Sequence, residues 1–322
     1  MKDIFQLSST KIKILLVAFF FTGIIKTETM AQNNQDPHSN YYEVYGSTMH
    51  VLEYGKEEKG NPILFLHGNP ANSFLWRNIT PYVQGTGHHI IVPDLMGMGK
   101  SDKPAIDYTY MEQYGYVEKL IEQMGLKNIT LVLHDWGSGI GFNYFANHQD
   151  NVKAIVFMEG IIQDIGTFFP KEHIEFFTKL RGPEGYKMVA EDNIFLNDVL
   201  PTWVSKGLTE EELEGYRAPF QTVESRKPIW KFISQVPLNG KPELTASIVK
   251  NYREALQNSK LPKLFFYAEP GAFMPEPVRN WIIENIPNLE SVNIGEGVHF
   301  IQEDNPDLIG QKIKEFILKL DD

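Results

Sequence analysis

The spacing of apolar and polar positions changes in a regular order along the chain. Over residues 41–54, alternating Tyr-Glu-Val-Tyr and Met-His-Val-Leu-Glu-Tyr runs flank Gly46-Ser47, which predicts a hairpin of two strands. The stretches 62–66, 89–93, 129–133, 154–159 and 264–268 are apolar at nearly every position, as expected of strands covered by helices on both faces. Residues 289–294 add a last strand. Between them, helical spacing runs over 73–82, 110–124 (stopped by Gly125), 138–148, 275–286 and 305–320. Strand and helix alternate, so the pattern predicts an α/β architecture with a mostly parallel central sheet flanked by helices.

The alternation breaks once. Residues 160–240 contain no long apolar strand, only amphipathic pieces rich in aromatic side chains such as Phe176, Phe177, Phe195, Trp203, Phe220 and Phe232. Such an insertion can form a second small core. Its place just beyond the sixth strand's C-terminal edge suits a helical cap over an apolar pocket better. The expected organisation is a core of residues 41–159 and 241–322 with a cap at 160–240.

The most informative junction is Val132-Leu133-His134-Asp135-Trp136-Gly137-Ser138-Gly139-Ile140-Gly141. A buried strand stops at an acid, small residues follow, and a helix begins at once. That is the pattern of an elbow that lifts one side chain above a sheet and surrounds it with backbone N–H groups. A serine usually occupies the lifted position; here it is Asp135. Ser138 is out of frame for G-x-S-x-G, and no other serine has that frame, which disfavours a serine triad.

The N-terminus changes the picture of where the protein works. Lys2, Lys11 and Lys13 precede an apolar run over 14–25, and Thr29-Met30-Ala31 places small residues before a plausible cut. This reads as a signal peptide at 1–31 followed by a polar leader at 32–40, with export to the periplasm or medium. The run falls short of the roughly 20 apolar residues that a membrane anchor needs. Cleavage would remove four lysines and two acids and move the formal net charge from −11 to −13. So acidic a chain is a poor nucleic-acid binder and suits a small neutral or apolar ligand. With no cysteine, disulfides, thiolate catalysis and cysteine-ligated metal centres are excluded. The Gly97 and Gly99 turn lacks the frame of a phosphate loop, and the histidines lack metal-site spacing. No metal or cofactor is therefore expected.

Reactive groups in such sheets lie where strands end. Four strand ends carry polar residues: His67 with Asn69, His134 to Trp136, Glu159, and His299. Asp135, Glu159 and His299 follow the chain order nucleophile, acid, histidine of elbow hydrolases. His299 is the one histidine beyond His173, and no aspartate lies between Asp198 and Asp304. An acid near the next strand would have to be Glu269 or Glu276; Glu159 instead ends an apolar strand, where an unpaired carboxylate is costly. A carboxylate nucleophile suits attack at a saturated carbon bearing a leaving group, leaving an alkyl ester that needs water and a general base. The Trp136 indole and the Asn69 amide are donors that can hold the departing anion, and the backbone N–H groups of the same residues can face the carboxylate. His67 and His134 read as loop braces.

Taken together, His67-Gly68-Asn69-Pro70, Gly97-Met98-Gly99-Lys100-Ser101-Asp102, His134-Asp135-Trp136-Gly137, Phe157-Met158-Glu159 and Val298-His299-Phe300-Ile301-Gln302-Glu303-Asp304-Asn305-Pro306 resemble a haloalkane dehalogenase of the α/β-hydrolase superfamily. The resemblance spans residues 41–320 and includes the lid pieces Tyr216-Arg217-Ala218-Pro219-Phe220 and Val236-Pro237-Leu238-Asn239-Gly240. It implies Asp135 as nucleophile, His299 as base, Glu159 as the acid partner, and Asn69 with Trp136 as the halide pair. It also implies conversion of haloalkanes to a primary alcohol, halide and a proton without a cofactor. The stretch 167–187 departs from the family's lid, and the signal peptide departs from its usual cytoplasmic setting. The rival readings are an epoxide hydrolase, with Tyr186 and Tyr216 as alkoxide donors, a coelenterazine luciferase, and a non-catalytic binding protein on the same fold.

Overall fold

A computed structural model describes residues 37–167 and 169–321, so the segment 1–31 lies outside the described residues. Eight strands form one sheet: β1 His38–Val44, β2 Ser47–Tyr54, β3 Gly60–Leu66, β4 His88–Pro93, β5 Ile129–Asp135, β6 Val152–Gly160, β7 Lys263–Pro270 and β8 Leu289–Gly297. Their spatial order is β1-β2-β4-β3-β5-β6-β7-β8. β1 pairs with β2, and β2 with β4, antiparallel; every later neighbour is parallel. β5, every residue of which is buried, lies between β3 and β6 in the middle of the sheet. This is the continuous apolar pattern that two covered faces demand.

The helices are α1 Thr80–Val83, α2 Tyr110–Gln123, α3 Trp136–Asn147, α4 Lys171–Arg181, α5 Leu200–Thr202, α6 Glu210–Arg217, α7 Lys227–Gln235, α8 Glu243–Asn258, α9 Glu276–Asn285, α10 Ile301–Asp304 and α11 Pro306–Asp321. α3 packs on α8, and α1 on α11, within the layers that cover the sheet. Pieces α4 to α7 form the helical cap inserted after β6, and α8 returns to the core layer.

Two local expectations differ from the fold. The single helix over 73–82 is instead a 3-10 turn, Ser73–Trp76, followed by the short α1. Asn72 caps the turn by accepting the Phe74 N–H, and Pro81 occupies the first turn of α1, where it donates nothing. β1 starts at His38, within the stretch 32–40 read as a polar leader. Pairing of His38 with Glu53 and of Asn40 with Val51 supplies an ordered backbone that polarity alone does not suggest.

The cap is seated by polar as well as apolar contacts. α6 begins in a capping box between Thr209 and Glu212. At its far end Tyr216 donates its hydroxyl to Glu303, which also takes a two-pronged ion pair from Arg77 at 2.5 and 2.9 Å. α7 buries Pro228, Ile229, Phe232 and Ile233. The buried Arg226 guanidinium donates to the carbonyls of Ala190 (2.6 Å) and Phe220 (2.9 Å), joining separate cap pieces.

Candidate active site

Asp135 terminates β5 with φ 49° and ψ −127°, a backbone conformation that a non-glycine residue rarely adopts. The surrounding chain enforces it. Ser138 Oγ donates to the Asp135 carbonyl at 2.5 Å and accepts the Ile161 N–H at 2.9 Å. A Cβ at Gly137 would run into the backbone oxygens of Leu66 and His67, and one at Gly68 into the Asp135 carboxylate itself. Both glycines are thus required by close approach between β3 and the β5–α3 elbow.

The carboxylate points into a buried polar cluster. Asp135 is 3% exposed, and its Oδ1 accepts the Asn69 N–H at 2.6 Å. Of the two backbone donors expected there, Asn69 supplies this bond; no such bond from Trp136 is present among the described residues. Asp135 Oδ2 lies 3.6 Å from His299 Nε2, close enough for charge attraction. On the other side of the ring, His299 Nδ1 is 3.2 Å from Glu159 Oε2. That oxygen also accepts the N–H groups of Ala272 (3.0 Å) and Phe273 (2.8 Å). Glu159, at φ 42°, is the second strained residue of the site and the one at the end of β6. The Nδ1–Glu159 contact orients the imidazole with Nε2 towards Asp135.

His299 lies on the loop after β8 and is held there by its own backbone. Its N–H and that of Phe300 donate to the Trp203 carbonyl at 3.1 Å each, and its carbonyl accepts from His134 Nε2 at 2.9 Å. His134 is fully buried; desolvation by burial, joined by the neighbouring His299, pushes its imidazole down to about 3, so it works as a neutral donor. His67 has a similar role, with Nε2 accepting the Leu95 N–H at 2.9 Å and Nδ1 donating to the Gly68 carbonyl at 2.8 Å. Both histidines brace loops, as their positions suggest.

The electrostatics follow from two carboxylates around one ring. Burial disfavours a charged His299, but the carboxylates of Asp135 and Glu159 on its two sides outweigh it and raise the imidazole to about 9. Burial likewise pushes the Asp135 carboxyl up; His299, His134 and the Asn69 N–H prevail and hold it below the ordinary carboxylate range.

Asn69 and Trp136 come from the ends of adjacent strands, β3 and β5. One Asn69 amide N–H is given to the Ile229 carbonyl of α7 at 3.2 Å, and the second has no acceptor among the described residues. The Trp136 ring lies between Tyr110 and Phe232, at centroid distances of 5.6 and 5.4 Å. The five candidate residues therefore gather where β3, β5, β6 and β8 end.

Three positioning features had no signal in the pattern. The Trp203 carbonyl reaches His299 from the cap, and the Ala272 and Phe273 N–H groups reach Glu159 from the loop after β7. Trp203 and Phe273 also set their rings 4.8 and 5.1 Å from that of His299. Both residues also line a cavity of about 380 Å³ with Pro170, His173, Phe176 and Phe177. Only Pro270-Gly271, with Gly271 at φ 70°, hinted at a tight turn beside Glu159. Among the described residues no group of three His, Cys, Asp or Glu side chains is placed to hold a metal ion. Tyr216, one of two tyrosines considered as alkoxide donors, gives its hydroxyl to Glu303, and Tyr186 packs edge-on against Trp230.

Comparison with known proteins agrees with this geometry. Residues 61–306 match the alpha/beta hydrolase fold family. A haloalkane dehalogenase of Sphingobium indicum is 38% identical over 289 residues, covering 87% of this chain and 95% of the relative. One from Mesorhizobium japonicum is 36% identical over 285 residues, covering 87% and 91%. Among solved structures, haloalkane dehalogenase DbeA from Bradyrhizobium elkani superposes with a TM-score of 0.85 at 35% identity, covering 89% of this chain and 99% of that one. DatA from Agrobacterium tumefaciens gives 0.83 at 33% identity, covering 89% and 98%. A carboxylate elbow facing a glutamate-paired histidine, on a fold shared along nearly its whole length with these relatives, places the chain in the haloalkane dehalogenase family of α/β-hydrolases.

Proposed function

We propose that the protein hydrolyses haloalkanes to a primary alcohol, halide and a proton, with Asp135 as nucleophile, His299 as general base, Glu159 as its acid partner, and Asn69 with Trp136 holding the halide. The observation that carries this reading is the buried, ionised Asp135 carboxylate fixed by the Asn69 N–H and facing His299. Displacement by that carboxylate forms a carbon–oxygen bond, breaks the carbon–halogen bond and leaves an alkyl ester. The departing halide is met by the Trp136 indole N–H and the free Asn69 amide N–H.

The charge balance explains how His299 becomes a base. In the resting site two anions keep its imidazole protonated up to about 9. Alkylation makes Asp135 neutral and removes one of those anions, so burial prevails and the ring gives up its proton. Neutral His299 then takes a proton from water, and the resulting hydroxide equivalent attacks the ester carbonyl. Glu159 remains ionised beside Nδ1 to stabilise the imidazolium that forms. Alcohol leaves, Asp135 regains its charge, and the released proton is the net acid product.

The deciding experiment is halide release from a panel of C2 to C6 bromides, 1-bromobutane and 1,2-dibromoethane included. Wild type should release bromide and acid, and Asp135→Ala should lose at least about 10⁴-fold in turnover. A panel without bromide release refutes the reading, and styrene oxide or coelenterazine turnover by the same preparation would replace it with an epoxide hydrolase or a luciferase. Export is part of the proposal. Cleavage after Ala31 gives a mature chain whose N-terminal sequencing starts at Gln32; a chain starting at Met1 overturns it.

A further inference from the structure

A second nucleophile, histidine and acid are lined up on β1, on β2 and just past the end of β4. Ser39 Oγ lies 2.8 Å from His50 Nε2, and His50 Nδ1 lies 2.7 Å from Asp94 Oδ2. Asp94 is an acceptor-only anchor: its Oδ1 takes the Ser73 N–H at 2.6 Å and its Oδ2 the Lys100 N–H at 2.8 Å. An acceptor on the Nδ1 side fixes the tautomer, with the proton on Nδ1 and the Nε2 lone pair turned to the serine hydroxyl. His50 and Asp94 are each 1% exposed, while Ser39 is open to solvent.

Two members of the relay, His50 and Asp94, line a space that a ligand can fill, and Ser39 Oγ is within hydrogen-bond reach of the first. β1 and β2 pair so that Tyr41 faces His50 and Ser39 faces Leu52, which puts Ser39 and the His50 ring on the same pleated face. His50, Leu52, Tyr54, Phe74, Asp94 and Lys100 are among the residues lining a cavity of about 600 Å³ over that face. Its wall is mixed, with apolar Leu52, Tyr54 and Phe74 beside a lysine. The Lys100 ammonium has no hydrogen bond or ion pair among the described residues, so the cavity wall carries an unpaired cation. None of these residues belongs to the Asp135 site.

We propose that Ser39, His50 and Asp94 form a second hydrolytic centre that cleaves small carboxylic esters next to this cavity, independently of Asp135. Ser39 Oγ bonds to the ester carbonyl carbon while His50 Nε2 takes the hydroxyl proton. The tetrahedral adduct collapses, the carbon–oxygen bond to the alcohol breaks, and His50 returns the proton to the leaving alkoxide. Water, deprotonated by His50, then attacks the acyl-serine; the carboxylic acid leaves and Ser39 recovers its proton. The sum is ester plus water to acid plus alcohol, with no other reactant.

The test uses the full chain carrying Asp135→Ala, so that the first site is silent. An alkyl fluorophosphonate is added and its adduct is located by peptide mass mapping; hydrolysis of 4-nitrophenyl acetate is followed on the same protein. The expected result is a phosphonyl adduct on Ser39, formed with loss of fluoride, together with saturable hydrolysis that drops at least 10-fold in Ser39→Ala and in His50→Gln. Melting curves of the variants separate lost chemistry from lost structure. Absence of an adduct on Ser39 in the parent protein overturns the proposal whatever the variants do. So does hydrolysis that persists in Ser39→Ala, which would leave the three residues as a hydrogen-bonded tie between strand and loop.

Discussion

Asp135 and His299 form a coupled pair, and their charges make pH the sharpest probe of single residues. The His299 imidazole is raised from 6.5 to about 9 by its two carboxylate neighbours, against the cost of burial. A raised histidine contributes stability that is fully present below about 6.5 and is lost as pH climbs through about 9. Asp135, held below the ordinary carboxylate range, contributes stability present above that range and lost as pH falls through its own lowered value. The melting temperature of wild type should therefore fall between pH 6.5 and pH 9.5, and His299→Phe should flatten that fall; an equal slope in both proteins contradicts the assignment. The same variant lacks a base for the second step, so 1-bromobutane should leave an alkyl ester on Asp135, visible as added mass on the intact chain. In wild type, ester formation should be independent of pH from 6 to 9, while ester hydrolysis should fail on the acid side with an apparent pKa below that of the resting His299.

At the scale of elements, the β5–α3 elbow and the β3 end are one structure. Asp135 takes a strained conformation because Ser138 pins its carbonyl and because glycines at 68 and 137 let two strand ends touch. The obstacle facing a Cβ at 137 is backbone oxygen of a central strand, which cannot move aside as a flexible side chain does. Gly137→Ala should therefore lower stability by about 2–3 kcal/mol, as overpacking does in rigid surroundings, and should cost activity beyond the loss of folded protein. Chemical denaturation and titration of active sites by ester trapping check the two parts separately. The elbow was legible in the chain because a strand, an acid and small residues stand in a row. The broken helix at 73–83 was not, since Asn72 as a cap and Pro81 at a helix start read equally well as positions within one amphipathic segment.

At the scale of the whole molecule, the cap is joined to the core at the His299 loop and the helix that follows it. Tyr216 of the cap and Arg77 of the core both bind Glu303, four residues beyond His299, while the Trp203 carbonyl holds the His299 and Phe300 N–H groups. Tyr216→Phe removes a hydrogen bond to a charged acceptor without emptying the packing, so thermal unfolding should shift by about 1–3 kcal/mol in stability. Its Michaelis constant for bromides should rise more than its turnover falls, because the lost tie positions the cap and not the nucleophile; steady-state kinetics on 1-bromobutane provides the check. Linear order was enough to read the strands, the elbow, the break at the cap and the candidates Asp135, Glu159, His299, Asn69 and Trp136, because buried strands, turns and helix starts are written in neighbouring residues. It also singled out His299 and Glu159 by elimination among few histidines and acids. It held no information on the Trp203 carbonyl, the Ala272 and Phe273 N–H groups around Glu159, or the Ser39–His50–Asp94 alignment. Backbone donors and acceptors are the same in every residue type, and side chains 44 positions apart, as His50 and Asp94 are, meet only once a sheet has set its register.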